Sequence, residues 1–298
     1  MLELSPELPA LSVATAAPGA AADEDTPRAR GYGVLFWLSV AWIALVILAA
    51  ILASVLPLKN PDTPLAIPRM GPSLHYPLGT DDLGRDTLSR IVFGARVSMI
   101  VGFTSIAFGL IVGGTLGLIA GYYKGRIGRL IMGFTDVLLA FPALVLALAI
   151  ITFLGQSLRN VVIAIGILSI APIARVIRAS TLTFSEREFV LAARALGAKD
   201  FRIITREILP NVAVPTLSFG LVAVAVAIVA EGGLAFLGLS VRPPTPSWGG
   251  MINEGRTFLS HSPEISLIPA AVLFVTVLAF NFVGDSLRAR FDPRRGGL

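Results

Sequence analysis

The sequence predicts an all-α polytopic membrane protein with six transmembrane helices. Of its 298 residues, 55% are hydrophobic and 14% are charged, whereas a soluble globular domain carries roughly 25% charged residues. Six apolar segments approach or exceed the ~20 helical residues that a bilayer core requires. With six spans, the connectors and tails on the side that holds both termini contain twice as many Lys and Arg residues as the connectors on the other side. This bias predicts cytosolic N- and C-termini.

The predicted spans contain very few charged residues. They are Val34–Leu56, Val97–Tyr123, Leu130–Leu154, Asn160 to about Ser180, Val212–Leu239 and Ile265–Gly284. In the second span, Gly109, Gly113 and Gly117 place small residues four apart. This spacing lets helices pack closely in lipid, either within one subunit or against another.

The remaining segments define the predicted domains. Residues 1–27 are Ala/Pro-rich with acidic residues and no base, and they predict a solvated cytosolic tail. Residues 28–95 comprise the first span, an outer Pro-rich strap and a helix over Leu83–Arg96 at the outer interface, opened by Thr80, Asp81 and Asp82. Residues 96–288 form the membrane core, and residues 289–298 form a second cytosolic tail.

A charged connector on the inner side, residues 185–211, predicts two short helices. Ser185 and Glu188 have the spacing of a capping box at a helix start. Gly197 is predicted to end this first helix, because glycine accepts the left-handed conformation after a C-cap. Asp200 is predicted to cap a second helix, which ends before Pro210. The apolar residues Phe189, Ala192, Ala193 and Leu196 recur at helical spacing and predict one stripe.

This connector has two interpretations. A basic amphipathic helix often lies on the membrane surface. Alternatively, the connector docks a cytosolic partner. The small residues Ala192, Ala193 and Gly197 favour docking, because they let a backbone approach a partner closely, whereas a membrane-surface helix favours bulky apolar side chains.

Several motifs together resemble one family. Ala192-Ala193, Gly197 and Ile208-Leu209-Pro210 resemble the cytoplasmic "EAA" loop of inner-membrane permease subunits of bacterial ABC importers. Further stretches resemble the C-type subunits of the dipeptide/oligopeptide (Dpp/Opp) permeases: His75–Asp86, Phe236–Leu239, Pro243–Gly249, and Asn281 with Asp285 and Arg288. The similarity runs from about residue 31 to the C-terminus. One departure is Leu191, which stands where the motif usually has Glu.

The resemblance implies a fold, partners and a location. It implies the type I ABC importer permease fold in a bacterial inner membrane, working with a second permease subunit, ABC ATPase subunits and an extracytoplasmic solute-binding protein. The ATPase-coupling residues would be Glu188, Phe189, Ala192, Ala193, Arg194, Leu196, Gly197 and Asp200. The chain has no Gly-x4-Gly-Lys-Ser/Thr sequence, which a P-loop ATPase requires. ATP and Mg²⁺ are therefore expected on the partner subunits, with no cofactor, metal or nucleic acid on this chain.

Charged residues within the spans are further candidates, because charge is costly in a membrane. Asp136 is predicted to pair with Arg175 or Arg178 or to line the substrate path. Glu231 either faces the translocation cavity or forms a hydrogen bond to a neighbouring helix. Outer candidates for contact with the solute-binding protein are Asp81, Asp82, Arg85, Asp86 and Trp248. Ordinary outer-surface structure, and for Trp248 an interfacial anchor, are the alternatives.

Two other functional classes remain as alternatives. A secondary transporter or channel would need ion sites near the bilayer midplane, where the predicted spans hold almost no ionisable group. A membrane enzyme would need paired catalytic groups in the spans, yet there is no Cys, and His75 and His261 both lie outside them. Within the family, di- or oligopeptides are the expected cargo, and nickel, haem or opine-like solutes are alternatives.

Overall fold

The structure is a computed structural model that describes residues 33–291. The predicted tail 1–27 and residues 292–298 of the predicted tail 289–298 lie outside this range. The helices are α1 Val34–Leu52, α2 Thr87–Tyr122, α3 Gly125–Ala140, α4 Ala143–Leu154, α5 Leu158–Ser185, α6 Glu188–Ala195, α7 Asp200–Arg202, α8 Leu209–Phe236, α9 Trp248–Gly255 and α10 Glu264–Phe291. A π-helical segment, Ile203–Ile208, joins α7 to α8, and a 3₁₀ turn, Arg256–Phe258, follows α9.

The predicted membrane-spanning class is confirmed for the described residues. Five helical stretches are long and apolar enough to cross a bilayer: α1, α2, α5, α7–α8 and α10. The helices α3 and α4 together make a sixth candidate span, which bends by 85° at its break. The predicted single helix over Leu130–Leu154 is therefore wrong. The break falls at Phe141 and Pro142, where proline disfavours the helical conformation of the residue before it.

The helix predicted at the outer interface over Leu83–Arg96 is also wrong. Residues 80–86 form a tight turn closed by a bridge between Thr80 and Asp86, with Gly84 at φ +81°. Asp86 then caps α2, because its side chain accepts a hydrogen bond from the Ser89 N–H at 3.0 Å. The helix that begins at Thr87 continues without interruption into the second span.

The inner connector differs from its prediction at both ends. Ser185 is the last residue of α5 and its hydroxyl donates to the Leu182 carbonyl, so no capping box forms with Glu188. The N-cap of α6 is Arg187. Gly197 does adopt a positive φ, +79°, directly after α6. The second helix does not end before Pro210, because the π-helical turn ahead of this proline widens the register and the chain continues as α8.

Close packing of α2 against α5 organises the core. A Cβ added at Gly113 would lie 2.5 Å from the Ile170 carbonyl oxygen, and one at Gly117 would lie 2.5 Å from that of Ala174. Only glycine allows two backbones to approach this closely. The small-residue pattern of the second span therefore serves contacts within this subunit. The main apolar core lies around α2 and α5 and also draws residues from α1, α4, α8, α9 and α10.

Candidate functional site

The helix α6 presents an unusual apolar surface. Phe189 is 39% exposed, Leu191 51% and Leu196 87%. The predicted stripe, including Ala192 and Ala193, is at most half-buried. Only Val190 is buried on this helix, and of the stripe only Ala193 packs against the interior, so Phe189, Ala192 and Leu196 remain exposed within residues 33–291.

A second apolar cluster anchors this helix to the membrane-spanning helices. Val190 packs there with Ile203 and Ile208 of the π-helical segment. Ile173 and Ile177 of α5, Val212 of α8 and Tyr122 complete the cluster. The exposed residues of the stripe therefore lie on a helix that Val190 anchors in a cluster with residues of three long elements of the fold.

Polar contacts surround the same anchor. The Tyr122 hydroxyl donates to Asp200 Oδ1 at 2.7 Å, and Arg194 Nη2 donates to the Tyr122 oxygen at 3.4 Å. Lys124 and Glu186 form an exposed ion pair at 2.8 Å. The Lys124 ammonium group lowers the pKa of the Glu186 carboxyl below its usual value. An open cleft of about 290 Å³ lies between α2, α5 and α6 and is lined by Lys124, Glu186 and Arg194.

The predicted pairing of Asp136 is present. Its Oδ1 accepts a hydrogen bond from Arg175 Nη2 at 2.6 Å, which joins α3 to α5. Both side chains remain more than half exposed, 59% and 52%. Charged side chains seldom face lipid. This face of the subunit therefore points toward water or toward another protein.

Glu231 lies inside the subunit. Its side chain is fully buried, and its carboxylate accepts hydrogen bonds from Ser240 at 2.6 Å and Ser98 at 3.4 Å. This arrangement corresponds to the second interpretation of Glu231, a link between neighbouring segments. In this conformation Glu231 has no surface open to a cavity.

The outer candidates form a buried charge network. Arg85 contacts Asp81 at 2.5 Å and Glu254 at 2.9 Å. Arg90, which is fully buried, contacts the same Glu254 oxygen at 2.8 Å and Asp81 at 3.3 Å. We call these four residues the outer charge network. Burial raises the pKa of the Glu254 carboxyl, and Arg90 and Arg85 oppose that shift.

Burial restricts the predicted outer contacts. Asp81, Arg85 and Asp86 are each 3% exposed and Trp248 is fully buried, so none offers a surface to a docking protein in this conformation. Trp248 is also no interfacial anchor, because its indole N–H donates to the Ile91 carbonyl at 3.0 Å inside the core. Asp82, with 23% of its side chain exposed, and Leu83, 51% exposed, remain accessible.

Sequence reasoning missed three residues of these sites. Tyr122 lies at the end of an apolar helix, and nothing local signals its contacts with Arg194 and Asp200. Arg90 and Glu254 lie in different segments of the chain, and the local sequence around each does not indicate a site. A buried Arg needs acidic partners, but the partner Glu254 is 164 residues away in the sequence.

The fold defines a helical protein with several candidate membrane spans, and comparison with known proteins identifies its family. The family model described as "Binding-protein-dependent transport system inner membrane component" matches residues 113–297. The chain therefore belongs to this family of ABC importer permeases.

Two proteins similar to this chain are also named as permeases of transport systems. The chain is 42% identical over 224 residues to a glutathione transport system permease protein, GsiD, of Pectobacterium atrosepticum, covering 75% of this chain and 74% of the relative. It is 44% identical over 224 residues, with the same coverage, to the dipeptide transport system permease protein DppC of Alkalihalophilus pseudofirmus.

Solved structures show the same fold. An inward-facing MetNI methionine ABC transporter structure gives a TM-score of 0.59 at 16% identity and covers 69% of this chain and 97% of that chain. An amino acid ABC transporter crystallised with histidines gives 0.53 at 19% identity, covering 68% and 94%.

Proposed function

We propose that this chain and a second permease subunit form the path by which di- or oligopeptides, delivered by an extracytoplasmic solute-binding protein, enter the cell. The support for peptide cargo is the similarity to permeases named for dipeptide and for glutathione transport, since both solutes are peptides. Glutathione-like tripeptides therefore join dipeptides as the first substrates to test.

The energy for transport comes from partner ATPase subunits, and they bind the stripe on α6. The observation that carries this proposal is the exposure of Phe189 and Leu196 of the stripe, and of Leu191 beside it, on a helix that is anchored by Val190. Exposed apolar patches on an anchored element mark interaction sites. Glu188, Ala192, Ala193, Arg194, Gly197 and Asp200 shape the same module.

The half-exposed pair of Asp136 and Arg175 lines the translocation path or the contact with the second permease. Its support is that these two charges lie on candidate spans yet are not covered by this subunit. Glu231 is better suited to holding α2 and α8 together than to binding substrate, because its oxygens are engaged by Ser240 and Ser98.

The proposed topology places α6 and both termini in the cytosol and the outer charge network outside the membrane. It follows from the distribution of Lys and Arg. The solute-binding protein would then approach the outer side near Asp82 and Leu83, the accessible neighbours of the buried network.

A copurification experiment tests the docking surface. Affinity-tagged chain, expressed with its partner subunits, is expected to retain the ATPase, and Leu196→Glu is expected to lower the retained amount roughly tenfold or more, because it places a charge at an apolar contact. Leu83→Glu is the matched control, since Leu83 is an exposed leucine on the opposite side. Equal ATPase recovery with Leu196→Glu and Leu83→Glu would contradict the proposal.

A further inference from the structure

The side chain of Tyr122 joins the two arms of the inner connector. Its hydroxyl donates to Asp200 Oδ1, at the start of α7, at 2.7 Å. Arg194, in the last turn of α6, donates to the same hydroxyl at 3.4 Å, and its guanidinium carbon lies 5.7 Å from the centre of the Tyr122 ring. One side chain thus contacts both helices that flank the turn at Gly197.

The ring of Tyr122 is fixed by apolar packing. It belongs to the cluster that contains Val190 of α6, Ile177 of α5 and Ile203 of the π-helical segment. Tyr122 is 9% exposed. The hydroxyl therefore has a defined position, and the hydrogen bonds it forms do not depend on ordering a mobile side chain.

Tyr122 also ends a helix that is rigidly attached to another. A Cβ at Gly117 or Gly121 would lie 2.5 Å from the Ala174 oxygen or 2.6 Å from the Thr181 Cβ, so α2 and α5 cannot slide past each other freely. On the other side of Tyr122, Asp200 begins a helical stretch that continues to Phe236. The α2–α5 pair, the docking helix α6 and the α7–α8 span meet at this residue.

We propose that Tyr122 is a positioning residue of the transport cycle, whose hydroxyl transmits movement of α6 to the α2–α5 pair and to α8. This inference rests on the proposed function, because it requires that α6 is the element on which the ATPase acts. Without the hydroxyl, α6 loses its hydrogen-bonded link to α2 and α7, and it keeps only the apolar packing of Val190 and the two backbone joints, residues 186–187 and the turn at Gly197. Part of a displacement of α6 is then absorbed at those joints, because apolar packing holds direction less strictly than a hydrogen bond and rigid contacts carry coupling between sites.

The test uses the complete transporter with both permeases, ATPase subunits and solute-binding protein in proteoliposomes. Tyr122→Phe keeps the ring and removes the hydroxyl. The expected result is unchanged recovery of the ATPase and a roughly 2- to 30-fold lower ratio of peptide imported to ATP hydrolysed. Tyr123→Phe is the matched control, because Tyr123 is the adjacent tyrosine and its hydroxyl has no hydrogen-bond partner in the described part of the chain.

Variants of Asp200, which accepts the hydrogen bond from Tyr122, distinguish a positioning role from a general loss of structure. Asp200→Ala is expected to lower the same ratio of peptide imported to ATP hydrolysed. The double variant with Tyr122→Phe is expected to have a ratio no lower than that of either single variant, because the two substitutions remove the same hydrogen bond. Asp200→Asn keeps an acceptor oxygen and is expected to retain most of the coupling. An unchanged ratio in Tyr122→Phe, or effects of the two single variants that simply multiply, would overturn the inference.

Failure of the proposed function has a different signature. If the unmodified complex shows no ATP hydrolysis that responds to solute-binding protein and peptide, the function itself is wrong and the inference falls with it. Loss of coupling confined to Tyr122→Phe and Asp200→Ala supports the inference.

Discussion

Arg90 and Glu254 are separated by 164 residues in the sequence, and their side chains meet at 2.8 Å on the proposed outer side of the protein. Arg90 also donates to the carbonyls of Pro61 in the strap and Pro244 in the link before α9. A single guanidinium group thereby ties the start of α2 to the strap and to both parts of the link between α8 and α10.

Removing the charge of Glu254 is expected to destabilise the protein. In Glu254→Gln the two buried cations Arg85 and Arg90 keep Asp81 as their principal anion, and breaking a buried ion pair costs about 2–5 kcal/mol. Thermal unfolding of the detergent-solubilised protein should show the loss as a lower Tm. Glu264→Gln is the control, since Glu264 forms no ion pair within residues 33–291 and loses only a helix-dipole interaction of about 0.3–1 kcal/mol. Equal Tm values for the two variants would contradict this account.

The glycine contact between α2 and α5 makes a second stability prediction. Gly117→Ala places a methyl group 2.5 Å from the Ala174 carbonyl oxygen, and such overpacking costs typically about 1–3 kcal/mol. Gly133→Ala in α3 meets no atom within 4 Å and is expected to be neutral or slightly stabilising, because alanine favours helix. The comparison is again a pair of thermal unfolding curves, and a stable Gly117→Ala variant would count against close packing at this site.

The conformation of Gly197 predicts how the inner connector tolerates substitution. At φ +79° a residue with a Cβ is strained by about 1–2 kcal/mol, and Asn is the side chain that best accepts the left-handed region. A Cβ there would meet no atom within 4 Å, so the effect of a substitution is conformational rather than steric. Uptake is therefore expected to fall in Gly197→Val and to be largely kept in Gly197→Asn. Equal uptake by both variants would show that the turn has no role in coupling.

Much of the fold follows from local sequence patterns. The apolar segments predict the spans, Gly197 predicts the end of α6, and the spacing of Gly113 and Gly117 predicts close packing. Each of these depends on the properties of nearby residues alone. The spacing did not show whether the glycines meet a helix of the same subunit, because that depends on which surface lies opposite.

The errors arise where a competing contact, local or tertiary, overrides the signal of a single residue. Asp81 has the residue type of a helix cap, but it accepts hydrogen bonds from the Leu83 and Arg85 N–H groups in a turn, and Asp86 caps α2 instead. Pro210 usually ends a helix, yet the preceding π-helical turn accommodates it. Trp248 resembles an interfacial residue in sequence, but its partner, the Ile91 carbonyl, is 157 residues away.

Membrane topology can be measured directly, because the chain has no native Cys. Lys199→Cys and His75→Cys introduce single thiols at exposed positions of the inner connector and the outer strap. A membrane-impermeant maleimide should label His75→Cys in right-side-out vesicles and Lys199→Cys only after the membrane is opened. Labelling of both thiols from the same side would refute the proposed orientation.

Reconstitution of transport tests the central claim most directly. Proteoliposomes that contain this chain, its partner permease, the ATPase subunits and the solute-binding protein are expected to accumulate peptide against a gradient when ATP is supplied. Proteoliposomes that contain this chain alone are expected to show neither ATP hydrolysis nor accumulation, because the chain has no P-loop sequence. Sustained uphill uptake of peptide by the chain alone would contradict its assignment as a permease subunit that depends on partner ATPases.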